Sequence, residues 1–246
     1  MFGLSMALIC CLSSQPEKAD PPPSAAAPPP ATAMIKGRAI FTGDPETYKR
    51  VVLDTSRDAF CAKKKIGSEH VVINHHTDPF TLLNVLVSIK DGARLQGLDA
   101  PRESAVLKQQ GCRLEPHLLP LMARQRLRML NADDTLCGLQ SQSTVNLPFN
   151  IAIPQGGGSR EVTLVPEAPF AVHSAAHPWI GAWIAVFDHP FFAVTGQDGT
   201  FKIDNVPAGK YTLEAWHEKF GTLQAQVEAA SGATKTIDFT FAPKQP

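Results

Sequence analysis

The feature that most constrains this chain is its punctuation. From residue 35 onward, short runs of alternating apolar and polar residues are cut repeatedly by Gly, Pro or Asn/Asp clusters. Ile35–Thr42 (IKGRAIFT) alternates and then meets Gly43-Asp44-Pro45, a turn signal. Further runs are Arg50–Leu53, His70–Ile73, Leu82–Ile89, Arg126–Leu130, Glu161–Val165, Trp179–Phe187, Phe201–Ile203, Tyr211–Trp216, Gln224–Glu228 and Thr236–Phe241. A period near two over so many brief segments predicts strands, and strands this short and this numerous predict an all-β sandwich or partly open barrel. No long amphipathic helix is evident. Val106–Gln110 and Leu118–Ala123 are expected to give one helical turn each. Gly156–Gly158 reads as a hairpin tip, because a phosphate-cradling loop requires a strand-to-helix context that is missing here.

The first 33 residues obey a different rule. Met1–Leu12 is apolar but too short to cross a bilayer, which takes about 20 residues. It suits the apolar core of an export signal, although no basic residue precedes it. Leu8-Ile9-Cys10 before Cys11 resembles a lipoprotein cleavage box, with Cys11 as the lipidated residue and a plain signal peptide as the alternative. The spacer that follows, as far as residue 33, holds seven of the 21 prolines and favours extended, poorly ordered conformations. A leader and such a spacer imply an exported, periplasmic or outer-surface protein, tethered to a membrane by the leader or a lipid anchor.

Charge narrows the partners. Lys plus Arg equals Asp plus Glu at 23 each, so the footprint of a nucleic-acid binder is absent. With Cys10 and Cys11 in the leader, Cys61, Cys112 and Cys137 remain. In an exported chain an odd count means one disulfide and one leftover thiol or metal ligand.

The tail carries the clearest pattern. Asp198-Gly199 makes a hairpin turn before Thr200–Ile203, Val206-Pro207-Ala208-Gly209 leads into Tyr211–Trp216, and Ser231-Gly232 turns into the last strand. The run Asp198-Gly199-x-Phe201-x-Ile203, followed by Pro207-x-Gly209-x-Tyr211-x-Leu213, resembles the carboxypeptidase regulatory-like, or starch-binding-like, seven-stranded sandwich. Such modules support and bind in many proteins, so the resemblance implies a fold rather than an activity.

A second resemblance spans residues 34–246. Gln110-Gly111-Cys112, Pro116-His117, Gln125-x-Leu127-x-Met129-x-Asn131-x-Asp133 and His177-Pro178-Trp179 resemble exported bacterial cupredoxin-like proteins that join a plastocyanin-type sandwich to the regulatory-like tail. The implied organisation is a leader and linker over 1–33, a cupredoxin-like domain over 34–190, and a regulatory-like sandwich over 191–246 to which the strand 35–42 also belongs. The resemblance further implies a disulfide between Cys61 and Cys112. Its metal centre would take two imidazoles and a thiolate in a plane with a weak axial thioether.

At the ligands this chain departs from that pattern. Residues 137–140 read Cys-Gly-Leu-Gln where the family has His-Asn-x-His, and residues 174–180 read Ser-Ala-Ala-His-Pro-Trp-Ile where it has Cys-x-x-His-Pro-Trp-Met. A serine hydroxyl is a poor ligand for copper(I), and isoleucine is none. A rearranged set remains as the expectation: Cys137 and His177, completed by His173 or His117, holding copper or zinc. The opposing expectation is no cofactor, with Cys137 a buried thiol and the histidines satisfied by backbone groups. His173 lies one residue from the family's cysteine position and so faces the other side of its strand.

Other motifs exclude more than they suggest. Trp216-His217-Glu218 lacks the second histidine of a zincin helix and sits in a strand pattern. Ser174 near His177 has no nucleophile elbow around it. His75-His76 is expected in a solvated turn, and His189 is a further family match. The chain is therefore expected not to be an enzyme. The leading expectation is a divergent metal-binding or electron-transfer module, or an accessory subunit, with protein partners in the cell envelope. The alternative is a ligand-binding or adhesion module, for carbohydrate or protein, using Trp183, Phe191 and Phe192 as exposed rings.

Overall fold

The computed structural model describes residues 32–90, 95 and 97–243, so the leader and the expected lipidation site Cys11 lie outside the described residues. The fold is all-β, with short 3-10 turns at Pro45–Tyr48 and Cys61–Lys63.

Two hydrophobic cores organise the strands, each between two sheets. The tail sandwich has one sheet in the order β15 (Thr200–Pro207), β1 (Thr32–Phe41), β3 (Thr81–Leu82), β2 (Ile73–Asn74), with β18 (Thr234–Thr236) and β19 (Phe239–Phe241) also paired to β1. Its second sheet runs β14 (Phe192–Val194), β4 (Leu86–Ile89), β16 (Gly209–His217), β17 (Gly221–Ala229). β1 is the hinge of the arrangement. Ala33, Ile35, Ala39 and Phe41 alternate into the core against Phe201, Ile203, Leu213 and Phe239. β1 also needs glycine at position 37, where a Cβ would come within 1.7 Å of the Ile237 carbonyl oxygen.

The middle sandwich has a five-stranded sheet, β10 (Asn150–Ile153), β9 (Cys137–Ser141), β12 (Glu167–Ser174), β13 (Gly181–Phe187), β7 (Leu118–Met122). Facing it is β11 (Ser159–Thr163), β8 (Arg126–Asn131), β5 (Ala105–Gln110), β6 (Arg113–Glu115). Leu107, Leu127, Met129, Leu139, Val172 and Ile184 fill the space between. Cys61 and Cys112 are bonded, with Cα atoms 5.8 Å apart, and the bond fastens the 50–68 excursion to the β5–β6 turn.

Several expectations change here. Residues 32 and 33, assigned to the linker, open β1, and Ala33 is buried in the tail core. The expected division at residue 190 does not follow the packing: Val71, Ile73, Leu82, Val87 and Ile89, well before it, lie in the tail core. The tail strands cannot close a two-sheet core alone, so they recruit β1–β4. The two expected helical turns are strands β5 and β7. Leu118–Met122 is a continuous apolar run with no alternation, and periodicity alone cannot assign such a run. β7 ends its sheet, where Pro120 leaves no ladder bond unmade on an inner strand.

The two sandwiches meet through outer faces. Leu118, Trp183, Ala185 and Phe187 of β7 and β13 pack on Leu86, Phe192, Val194 and Trp216 of β4, β14 and β16. This is why β4 is buried along its whole length.

Candidate functional site

Two polar clusters stand out, one at a pole of the middle sandwich and one at the junction. The pole forms where β12 ends beside the start of β9, with Ser174 opposite Leu139. After Ser174 the chain folds back tightly. The Ser174 hydroxyl accepts from the His177 backbone N–H at 3.1 Å, the Ser174 N–H donates to the Ile180 carbonyl, and the Ile180 N–H donates to the His177 carbonyl. His177 Nε2 lies 3.2 Å from Asp58 Oδ2, and the Thr135 hydroxyl donates to the same oxygen at 2.6 Å. An ionised carboxylate only accepts, so the imidazole proton sits on Nε2. Asp58 also accepts from the Phe60 and Cys61 backbone N–H groups at 2.9 and 2.8 Å. Burial opposes its charge, yet the bonds from Thr135, Cys61 and His177 outweigh burial and bring its pKa down to about 2.

The Asn131-x-Asp133 segment builds the rest of this pole. Asn131 Nδ2 donates to the carbonyls of Thr135, Ile153 and Pro154, and its oxygen accepts from Asp133 N–H. Asp133 in turn accepts from Gly111 and Cys112 N–H, each at 2.7 Å. Both of those residues have positive φ, 64° and 61°, as a two-residue hairpin turn of this hand requires. Asp133 therefore clamps the turn that carries one half of the disulfide, and Asp58 caps the other half. Neither role was legible beyond the spacing of Asn131 and Asp133.

The expected metal set does not converge. Cys137 opens β9 at this pole, but burial first, and then the charge of Asp133, push its thiol up to about 12, so no thiolate forms near neutrality. His177 spends Nε2 on Asp58, and its Nδ1 is buried without a hydrogen-bond partner. His173 is half-buried on the opposite side of β12 from Val172 and Ser174. His117 belongs to the second cluster. Among the described residues no group of three or more His, Cys, Asp or Glu side chains is arranged to hold a metal ion. His189 and His217 are structural. His189 donates from Nε2 to the Ile89 carbonyl and accepts at Nδ1 from Phe191 N–H, and burial lowers its pKa. His217 stacks on Phe220, and burial takes its pKa down to about 4. His75 and His76 are exposed.

The second cluster lines a cleft of about 260 Å³ at the junction, walled by Glu69, His70, Arg113, His117, His173, Trp179, Trp183 and Glu218. Trp216 in β16 and Glu218, one residue past its end, both face the middle sandwich, while His217 turns toward Phe220 and Phe241 of the tail core. Glu218 accepts from Trp183 Nε1 at 2.9 Å, pairs with His70 Nδ1 at 2.7 Å, and is hydrogen-bonded to His117 Nε2. Burial opposes its charge, but the hydrogen bond and charge of His117, with the bonds from His70 and Trp183, hold its pKa below the usual carboxylate range. His117 and Glu218 side chains are each 8% exposed, while His70 is 75% exposed. His117 Nδ1 and Trp179 Nε1 are buried without partners. Arg113 reaches Glu69 at 3.7 Å on the rim. Glu218 was missed because its partners lie 35, 101 and 148 residues away.

The rings expected to form an exposed platform do not form one. Trp183 packs edge-on against Trp216 with centroids 5.0 Å apart, Phe192 stacks on Phe187 at 4.9 Å, and Phe191 is buried in the tail core.

Comparison with known proteins finds one family match and partial structural likenesses. The carboxypeptidase regulatory-like domain matches residues 172–242. Among solved structures, a copper(I) amicyanin variant is 10% identical, covering 41% of this chain and 98% of amicyanin, with a TM-score of 0.32. The copper-containing nitrite reductase of Thermus scotoductus SA-01 is 14% identical, covering 37% of this chain and 24% of the reductase, with a TM-score of 0.31. No curated protein matches the sequence. The chain is thus an all-β protein with a carboxypeptidase regulatory-like region and a weak structural likeness to cupredoxins.

Proposed function

We propose that this chain is a non-enzymatic binding protein of the cell envelope that takes a small polar ligand in the cleft between its two sandwiches. One observation carries the reading. Glu218, at the hairpin end of the tail sandwich, is a buried carboxylate at the cleft wall, gripped by His117 and Trp183 of the other sandwich. Burying a charge is expensive unless it is paired, and this one lies on the wall of an open cleft rather than in closed interior. The polar wall therefore has a use beyond adhesion of the two halves.

The cleft combines the indoles of Trp179 and Trp183 and the ring of Pro178 with Arg113, Glu69, His70 and His173. An apolar face edged by hydrogen-bonding groups suits a saccharide ring, and the volume is at the small end of ligand sites. A catalytic role has no support from the pole, since the Ser174 hydroxyl binds the His177 backbone and the imidazole binds Asp58. The copper or zinc centre implied by the cupredoxin-like resemblance does not fit a protonated Cys137 with scattered imidazoles. Export is supported by the leader sequence and by the Cys61–Cys112 bond, since disulfides persist in oxidising compartments. The proline-rich spacer would hold the binding domain near a membrane and its protein partners.

The test is a tryptophan-fluorescence titration of the purified chain with a panel of mono- and disaccharides. A saturable response weakened about tenfold or more, roughly 1.4 kcal/mol, by Arg113→Ala and by His173→Ala is expected. No saturable response to any sugar, or one indifferent to both substitutions, contradicts the reading.

A further inference from the structure

Among the described residues, every edge strand of the four sheets but one is short or blunted in the ways that keep sheets from pairing with other chains. β15 carries Lys202 and Asp204, paired at 2.9 Å, and ends in Pro207. β11 carries Arg160 and Glu161, and β7 contains Pro120. β2, β6, β10, β14, β18 and β19 are two to four residues long. β17 has none of these devices. It is nine residues, GTLQAQVEA, with one charge, no proline and an unbroken register against β16. Its other edge has no strand partner among the described residues.

We propose that β17 is a dimerisation edge, on which a second copy of this chain lays its own β17 antiparallel about a twofold axis. The sequence is its own antiparallel complement. With Ala225 facing Ala225 of the second copy, Leu223 meets Val227, Gln224 meets Gln226, Thr222 meets Glu228, and Gly221 meets Ala229. Apolar residues on the core side of the strand meet apolar residues, exposed amides meet amides, and the single charge faces a hydroxyl. Leu223 and Ala225 are only half-buried in one copy and gain cover in the pair. The sheet β14-β4-β16-β17 becomes continuous across both copies.

The test is sedimentation velocity of the full chain from about 1 to 100 µM, a range bracketing micromolar affinity. Gln224→Lys with Gln226→Lys places lysine opposite lysine at two symmetric points. Gln224→Lys with Gln226→Glu places lysine opposite glutamate at both, and Lys at 224 also faces Glu214 on β16. Like charges directly opposite on a ladder repel and opposite charges attract. The wild type should dimerise, the lysine pair should weaken the dimer about tenfold or more, and the lysine–glutamate pair should return it to near wild-type strength. Both positions altered are solvent-facing, so the variants should keep the fold of the wild type, as circular dichroism can check. A wild type that is monomeric throughout overturns the proposal, as does a dimer that both double variants affect equally or leave untouched.

Discussion

Trp183 Nε1, in the middle sandwich, donates to Glu218 Oε2, in the tail sandwich, across 2.9 Å. The same carboxylate accepts from His117, so one side chain answers for two buried donors of the other module. The junction is thus specified by a polar contact set within an aromatic seam, and its strength depends on a single residue.

Glu218→Ala should therefore lower stability by about 3 kcal/mol, because it leaves His117 and Trp183 buried without an acceptor. Glu218→Gln, which keeps an acceptor oxygen but loses the charge, should lose less. Urea denaturation midpoints of the two variants measure both. Equal, negligible losses would show that the ring seam alone joins the sandwiches.

Acid should weaken the fold in two stages. His217 titrates at about 4 in the native protein, against about 6.5 unfolded. Between those values the unfolded chain takes up a proton that the native chain does not, so stability falls as pH drops from about 6.5 to 4. Asp58 and Glu167 titrate at about 2 when folded, against about 4 unfolded. Their contribution is complete above about pH 4 and is lost as pH falls toward 2. Glu167 accepts from Ser143, Asn146 and the Thr144 and Val145 backbones, so Glu167→Gln should flatten the lower stage and leave the upper one intact. Denaturation midpoints across pH read both stages.

Strand content was legible where alternation and turn residues coincide, as in β1, β13 and the Asp198-Gly199 hairpin. It was not legible in β7, whose Leu-Leu-Pro-Leu-Met run shows no period, or in β12, where Pro169 interrupts the pattern at a register shift. The Cys61–Cys112 bond followed from the resemblance and is present. The pairing of Asp58 with His177 and of Glu218 with His117 could not be read at all. Each joins residues more than 100 positions apart, and only the folded sheets bring them together.

Cys137 should be inert in the folded chain. Its thiol is buried and protonated at neutral pH, and the thiolate is the reactive species. Iodoacetamide labelling mapped by peptide mass should modify Cys137 only in denaturant, separately from Cys10 and Cys11. Rapid native labelling at Cys137 would place it in an open, activating environment instead.

Replacing Cys61 and Cys112 together by serine should cost about 4 kcal/mol, the chain-entropy value for a loop of this size; the bonded residues are 51 apart. Thermal unfolding of the double variant and of the reduced wild type should agree. A loss under about 1 kcal/mol would mean that Asp58 and Asp133 hold the two segments without the bond.

At the pole of the middle sandwich Asp58, His177 and Thr135 form a hydrogen-bonded network where a thiolate–imidazole centre would otherwise lie. The most direct measurement is the visible absorption spectrum of the purified chain as copper(II) is titrated in. No intense blue charge-transfer band is expected, since burial keeps Cys137 a thiol and His173 and His117 lie elsewhere. A strong band that appears with copper and is lost in both Cys137→Ala and His177→Ala would contradict it.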